Sequence, residues 1–116
     1  MMTPDEVNAK IEQYQEHLER LTDEIRDAGV RAANAEVEYD VAFARQRLLT
    51  RYEANENGIK VTIPAVDDTA TVSTAELRRA SLLAKNNLST LREAISAAKA
   101  NLESLRTLSA SHRNII

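Results

Sequence analysis

From Val7 to Ala42 apolar residues recur at steps of four and three without a break: Val7, Ile11, Tyr14, Leu18, Leu21, Ile25, Ala28, Ala32, Ala35, Tyr39 and Ala42. A pattern that repeats every seven residues belongs to a long helix burying a narrow stripe against another helix. A strand would need apolar residues at every second position. The helix opens at Thr3-Pro4-Asp5-Glu6. Thr3 suits the cap, Pro4 the first helical position, and Glu6 closes a capping box. Asp5 and Glu6 also favour the positive end of the helix dipole.

This first helix is expected over 4–55. Gly29 is its weak point, because a mid-helix glycine costs about 1 kcal/mol relative to alanine. The seam keeps its phase across Gly29, which favours a continuous helix over a kink there. Asn55-Glu56-Asn57-Gly58 then reads as a stop, with Gly58 or Asn57 able to turn left-handed. A second stripe, Val37, Val41, Ala44, Leu48 and Tyr52, widens the apolar face as though another surface were covered there.

Residues 58–72 change period. Ile59, Val61 and Ile63 alternate with Lys60 and Thr62, the pattern of a half-buried strand. Pro64 to Thr69 supplies turn residues, and Ala70-Thr71-Val72 can return as a second short strand. A second helix is expected over 74–113. Ser73 reads as its cap, Glu76 as the capping-box partner, and Val72 with Leu77 as a hydrophobic staple. Its seam is Leu77, Ser81, Ala84, Leu88, Leu91, Ile95, Ala98, Leu102, Leu105 and Ser109, with no Gly or Pro from Thr74 to Arg113. The fold class expected is all-α: one elongated domain, a long antiparallel helical hairpin or coiled coil, with a short β-hairpin-like insert.

Composition narrows the function. The chain has 116 residues, 3% aromatic, with two Gly, two Pro and no Cys, so disulfides and thiolate metal sites are excluded. With Gly29 and Gly58 its only glycines, it has no phosphate-cradling loop, and no nucleophile elbow occurs. His17 and His112 lack helical metal-site partners, and Glu36, Glu38 and Asp40 spread around their helix as a solvated face. The expectation is a non-enzymatic protein of the cytoplasm, without cofactor, metal, membrane span or small-molecule substrate.

Charge is unevenly divided. Residues 1–57 carry 13 acids and 7 bases, whereas residues 74–116 carry 3 acids and 7 bases. Arg78, Lys85, Arg92, Lys99, Arg106 and Arg113 are spaced by seven, one cation per heptad beside the seam. Two readings compete. In one, the helices fold back so that Arg92 nears Glu36 and Glu38, Arg106 nears Asp23 and Glu24, and Arg113 nears Glu16 and Glu19, fixing the register. That register would also bring His17 near His112. In the other, the cations track a phosphate backbone, with Lys60 a lesser candidate. The acidic total and the lack of stacking side chains weigh against nucleic acid, since Tyr14, Tyr39, Phe43 and Tyr52 all read as core.

The run Glu38-Tyr39-Asp40-Val41-Ala42-Phe43-Ala44-Arg45, with Leu88-Ser89-Thr90-Leu91-Arg92 through Leu102-Glu103-Ser104-Leu105-Arg106-Thr107-Leu108-Ser109, resembles a family of small bacteriophage proteins. The similarity covers roughly residues 30–113. Some members resemble the UvsY-type recombination mediators, oligomeric helical proteins that bind single-stranded DNA and help load a recombinase. That resemblance implies a homo-oligomer with single-stranded DNA and a recombinase as partners. In architecture the chain also looks like a prefoldin subunit, which implies a chaperone or assembly role without nucleic acid, with Leu108, Ile115 and Ile116 at an apolar tip. A small phage inhibitor of a host protein is a third reading, on which the residues are silent.

Overall fold

The structure, a computed structural model, describes residues 2–115, with side-chain surroundings through Arg113. It is built of three helices, α1 (Pro4–Glu56), α2 (Ile63–Ser73) and α3 (Ala75–Ile115). Contacts divide the chain into two compact units: unit 1 joins residues 1–28 to 87–116, and unit 2 comprises residues 29–86. In both, α1 and α3 pair antiparallel, as the two seams require.

The start of α1 follows its sequence. The Glu6 N–H donates to Thr3 Oγ1 at 3.2 Å, and the Thr3 N–H donates back to Glu6 Oε2 at 3.4 Å. This reciprocal box satisfies two donors that a helix start otherwise leaves to water. Gly29 lies inside the helix, which is unbroken. At the far end Gly58 adopts φ 64°, the Ile59 N–H donates to the Ala54 carbonyl at 2.8 Å, and the Gly58 N–H to the Asn55 carbonyl at 3.2 Å. These are the two bonds of a Schellman stop, which needs a left-handed residue where Gly58 sits.

Unit 1 is a two-helix pairing. Val7, Leu21, Ala28, Ala98 and Leu102 are buried, and the remaining seam positions of both helices within the unit are half-buried. The narrow stripe that the 4-3 spacing describes is therefore the surface removed from water.

Unit 2 adds α2 to the pair, and here the sequence expectation is corrected. Among the described residues there is no strand, and the segment expected as a β-like insert over 58–72 is mostly helix α2. Thr62 caps it, its Oγ1 accepting the Ala65 N–H at 3.3 Å, and Pro64 sits in its first turn, where a missing N–H costs nothing. Val66, Ala70 and Thr74, four residues apart, face inward at 0–2% exposure. The alternation of Ile59, Val61 and Ile63 is too short to outweigh those signals, and all three are exposed.

The expected cap of α3 is also corrected. Ser73 belongs to α2 and donates its hydroxyl to the Thr69 carbonyl at 2.9 Å. The single residue Thr74 joins the helices, its hydroxyl donating to the Ala70 carbonyl at 2.6 Å and its carbonyl accepting the Arg78 N–H at 2.9 Å. Val72 is 78% exposed and staples nothing. Beyond Ala42 the covered line of α1 passes through Phe43, Gln46, Arg47 and Thr50. Tyr39 and Phe43 meet edge to face at 6.0 Å, and the Arg47 guanidinium lies 6.0 Å from the centre of the Phe43 ring. Arg47 Nε also lies 3.0 Å from Asp67 Oδ1 on α2, but its N–H is not directed at that oxygen, so the pair is an ionic contact and not a hydrogen bond.

Tyr14, Tyr39 and Phe43 are half-buried, but Tyr52, expected in the core, is 63% exposed. The second stripe of α1 is exposed, although Val37 and Val41 border a hollow with Thr74 and with Leu77 of α3. Leu108 is exposed, of Ile115 only the backbone is described, and Ile116 lies outside the described residues.

Candidate nucleic-acid interface

The cations of α3 follow from its seam. In unit 1 the covered line is Leu88, Leu91, Ile95, Ala98, Leu102, Leu105, Ser109 and His112, stepping by three and four, with Ala94 half-buried beside it. Arg92, Lys99, Arg106 and Arg113 each come directly after a covered residue at the end of a three-step, so they share the flanking position of the coiled coil. All four are exposed, and among the described residues none has a carboxylate within 4.0 Å.

The register explains their lack of partners. Arg113 shares the lining of a hollow with Pro4, Asn8, Ser109 and His112. An antiparallel pairing that sets Arg113 beside Asn8 sets Arg106 beside Gln15 and Lys99 beside Thr22, each one heptad along. Those α1 residues are uncharged. The acids of this stretch, Asp5, Glu6, Glu12, Glu16, Glu19, Asp23, Glu24 and Asp27, occupy other positions of the heptad.

Unit 2 holds the other two heptad-spaced cations, Arg78 and Lys85. Lys85 Nζ lies 3.3 Å from Glu36 Oε1 with both side chains about half exposed, whereas Arg78 is exposed and without an acidic partner among the described residues. Arg78 instead borders a shallow apolar hollow with Arg79, Leu82 and Leu83. Lys60 is exposed in the connector between α1 and α2.

This arrangement corrects the expected register. Glu36 takes Lys85 and not Arg92, and Arg113 stands by Asn8 and not Glu16 or Glu19. The slip is about one heptad, which leaves every seam residue in the seam. His112 accordingly shares its hollow with Asn8, whereas His17 lies on the α1 surface with Lys10, Tyr14 and Arg20. Glu38 and Asp40 are exposed, in keeping with a solvated face.

Among the described residues no three of His, Cys, Asp and Glu converge as metal ligands would, and no helix is long and apolar enough to cross a membrane. Chemically, the arrangement offers fixed positive charge at intervals of about 10 Å along a helix. Neither a known protein family, nor a curated protein, nor a solved structure matches this chain.

Proposed function

We propose that the protein is a non-enzymatic recombination accessory of the UvsY kind, acting as a homo-oligomer in the host cytoplasm and binding single-stranded DNA through the cations of α3. The observation that carries this reading is the state of Arg92, Lys99, Arg106 and Arg113: exposed, aligned, and facing a flank of α1 without acids. If these cations served to hold the hairpin together, carboxylates would stand opposite them. Only Lys85 fits that role, through Glu36. Binding through such a line is electrostatic and largely indifferent to sequence.

Titrating a fluorescent oligonucleotide at two salt concentrations tests the reading. Four phosphate contacts on a single strand imply a slope of about −2.8 in log affinity against log salt, or about 50-fold weaker binding at 200 mM than at 50 mM. Absence of binding at 50 mM salt overturns it.

A second reading, a coiled-coil structural or prefoldin-like assembly protein without nucleic acid, is favoured by a different observation. Val30, Val37, Leu48, Leu49, Leu82 and Leu83 are all exposed in unit 2. Suppression of client-protein aggregation, unaffected by neutralising the α3 cations, would favour it over the first.

A further inference from the structure

In unit 2, α1 carries a second 4-3 line, Val30, Asn34, Val37, Val41, Ala44, Leu48, Arg51 and Asn55, of which Val37 and Val41 border a hollow that reaches Thr74 and Leu77. At 100° per residue the line lies nearly opposite the covered line of Ala35, Tyr39, Ala42 and Gln46. All eight are exposed, with Val37 at 59%, Val41 at 43% and Leu48 at 65%. A heptad line centred on Val37, Val41 and Leu48 and left in water has the form of an unfilled coiled-coil seam.

We infer that this line is an interface between two copies of the chain, paired antiparallel through residues 30–55 of α1. Charge complementarity identifies the occupant. With Val41 set against the partner's Ala44, Val37 falls against the partner's Leu48, and Asn34 against the partner's Arg51. Between those layers Glu38 meets the partner's Arg45, and the two-fold axis repeats the pair; Arg47 is held by Asp67 of its own chain and takes no part. Glu38, Asp40 and Arg45 have no ion pair within the chain among the described residues. A parallel pairing would exchange that pair for Asp40 with the partner's Arg45, but it sets Arg51 against itself, so the antiparallel arrangement is the better matched.

The interface names the surface behind the oligomer in the proposed function, and it is tested without nucleic acid, so either can fail without the other. Sedimentation of the full chain at tens of micromolar should give twice 12.9 kDa, and Val41→Asp should give the monomer mass with unchanged helical circular dichroism, since Val41 is 43% exposed at the rim of an open hollow within the chain. Glu38→Arg should weaken association at least tenfold and Glu38→Arg with Arg45→Glu should restore it. The chain has no native cysteine, so chains bearing Val37→Cys should cross-link on oxidation to chains bearing Leu48→Cys more readily than either does to itself. A monomeric parent chain, a dimer that survives Val41→Asp, or preferential self-cross-linking of Leu48→Cys overturns the proposal.

Discussion

Lys85 Nζ lies 3.3 Å from Glu36 Oε1, and among the described residues it alone of the six heptad-spaced cations of α3 has a carboxylate within 4.0 Å. Exposed pairs of this kind contribute about 0.2–1 kcal/mol. Glu36→Gln should therefore lower stability by no more than about 1 kcal/mol, whereas Arg106→Gln should leave it within about 0.5 kcal/mol of the parent chain. Urea denaturation followed by circular dichroism checks both. A loss above 1 kcal/mol for Arg106→Gln would mean that the cation has a partner in the fold.

Gly29 sits inside an unbroken helix, and a methyl group built on it meets nothing within 4 Å. Gly29→Ala should stabilise the chain by about 0.5–1 kcal/mol, through helix propensity and a less flexible unfolded chain. A higher midpoint in the same denaturation is the expected result, and a lower one would show that the glycine is needed as a bend.

Gly58 has space around it too, but its φ of 64° is the obstacle. Gly58→Ala should cost roughly 1–2 kcal/mol, the penalty of a side chain in left-handed backbone. The pair makes a control within one molecule: the same substitution at two uncrowded glycines should move stability in opposite directions.

The cap of α2 gives a further test. Thr62 Oγ1 accepts the Ala65 N–H, and losing such a cap costs about 1 kcal/mol. Thr62→Ala should speed amide hydrogen exchange over residues 65–70 while leaving unit 1 protected. Slow exchange across 59–63 with unprotected amides at 66–73 would instead describe a strand.

The seams were legible because each side chain from Val7 to Ala42, and from Leu77 to Ser109, lies where the 4-3 spacing puts it. The register was not. A slip of one heptad moves every seam residue onto another seam position, as Ile11 onto Leu18 or Ala28 onto Ala35, so the spacing cannot tell Lys85 from Arg92 as the partner of Glu36. The decision rests on which uncharged residues, Asn8, Gln15 and Thr22, occupy the flank of α1. The insert is ambiguous in sequence because Ile59, Val61 and Ile63 alternate beside a Thr-x-Pro helix start, and five residues of alternation carry less free energy than a capped helix with Val66 and Ala70 buried. The cation line itself could be read from spacing, but its lack of partners follows from the register and so needed the fold. Tyr52 reads as core because it continues the apolar stripe of Val41 and Leu48, but that stripe is exposed in the fold.

Comparing the parent chain with a variant carrying Arg92→Gln, Lys99→Gln, Arg106→Gln and Arg113→Gln tests the central claim most directly. Fluorescence anisotropy of a labelled single strand at 50 mM salt, with circular dichroism to confirm an intact fold, is the measurement. The account predicts that the parent binds and that the folded variant loses at least about 50-fold in affinity with a nearly flat salt dependence. A parent that does not bind, or a folded variant that binds as tightly, would contradict it.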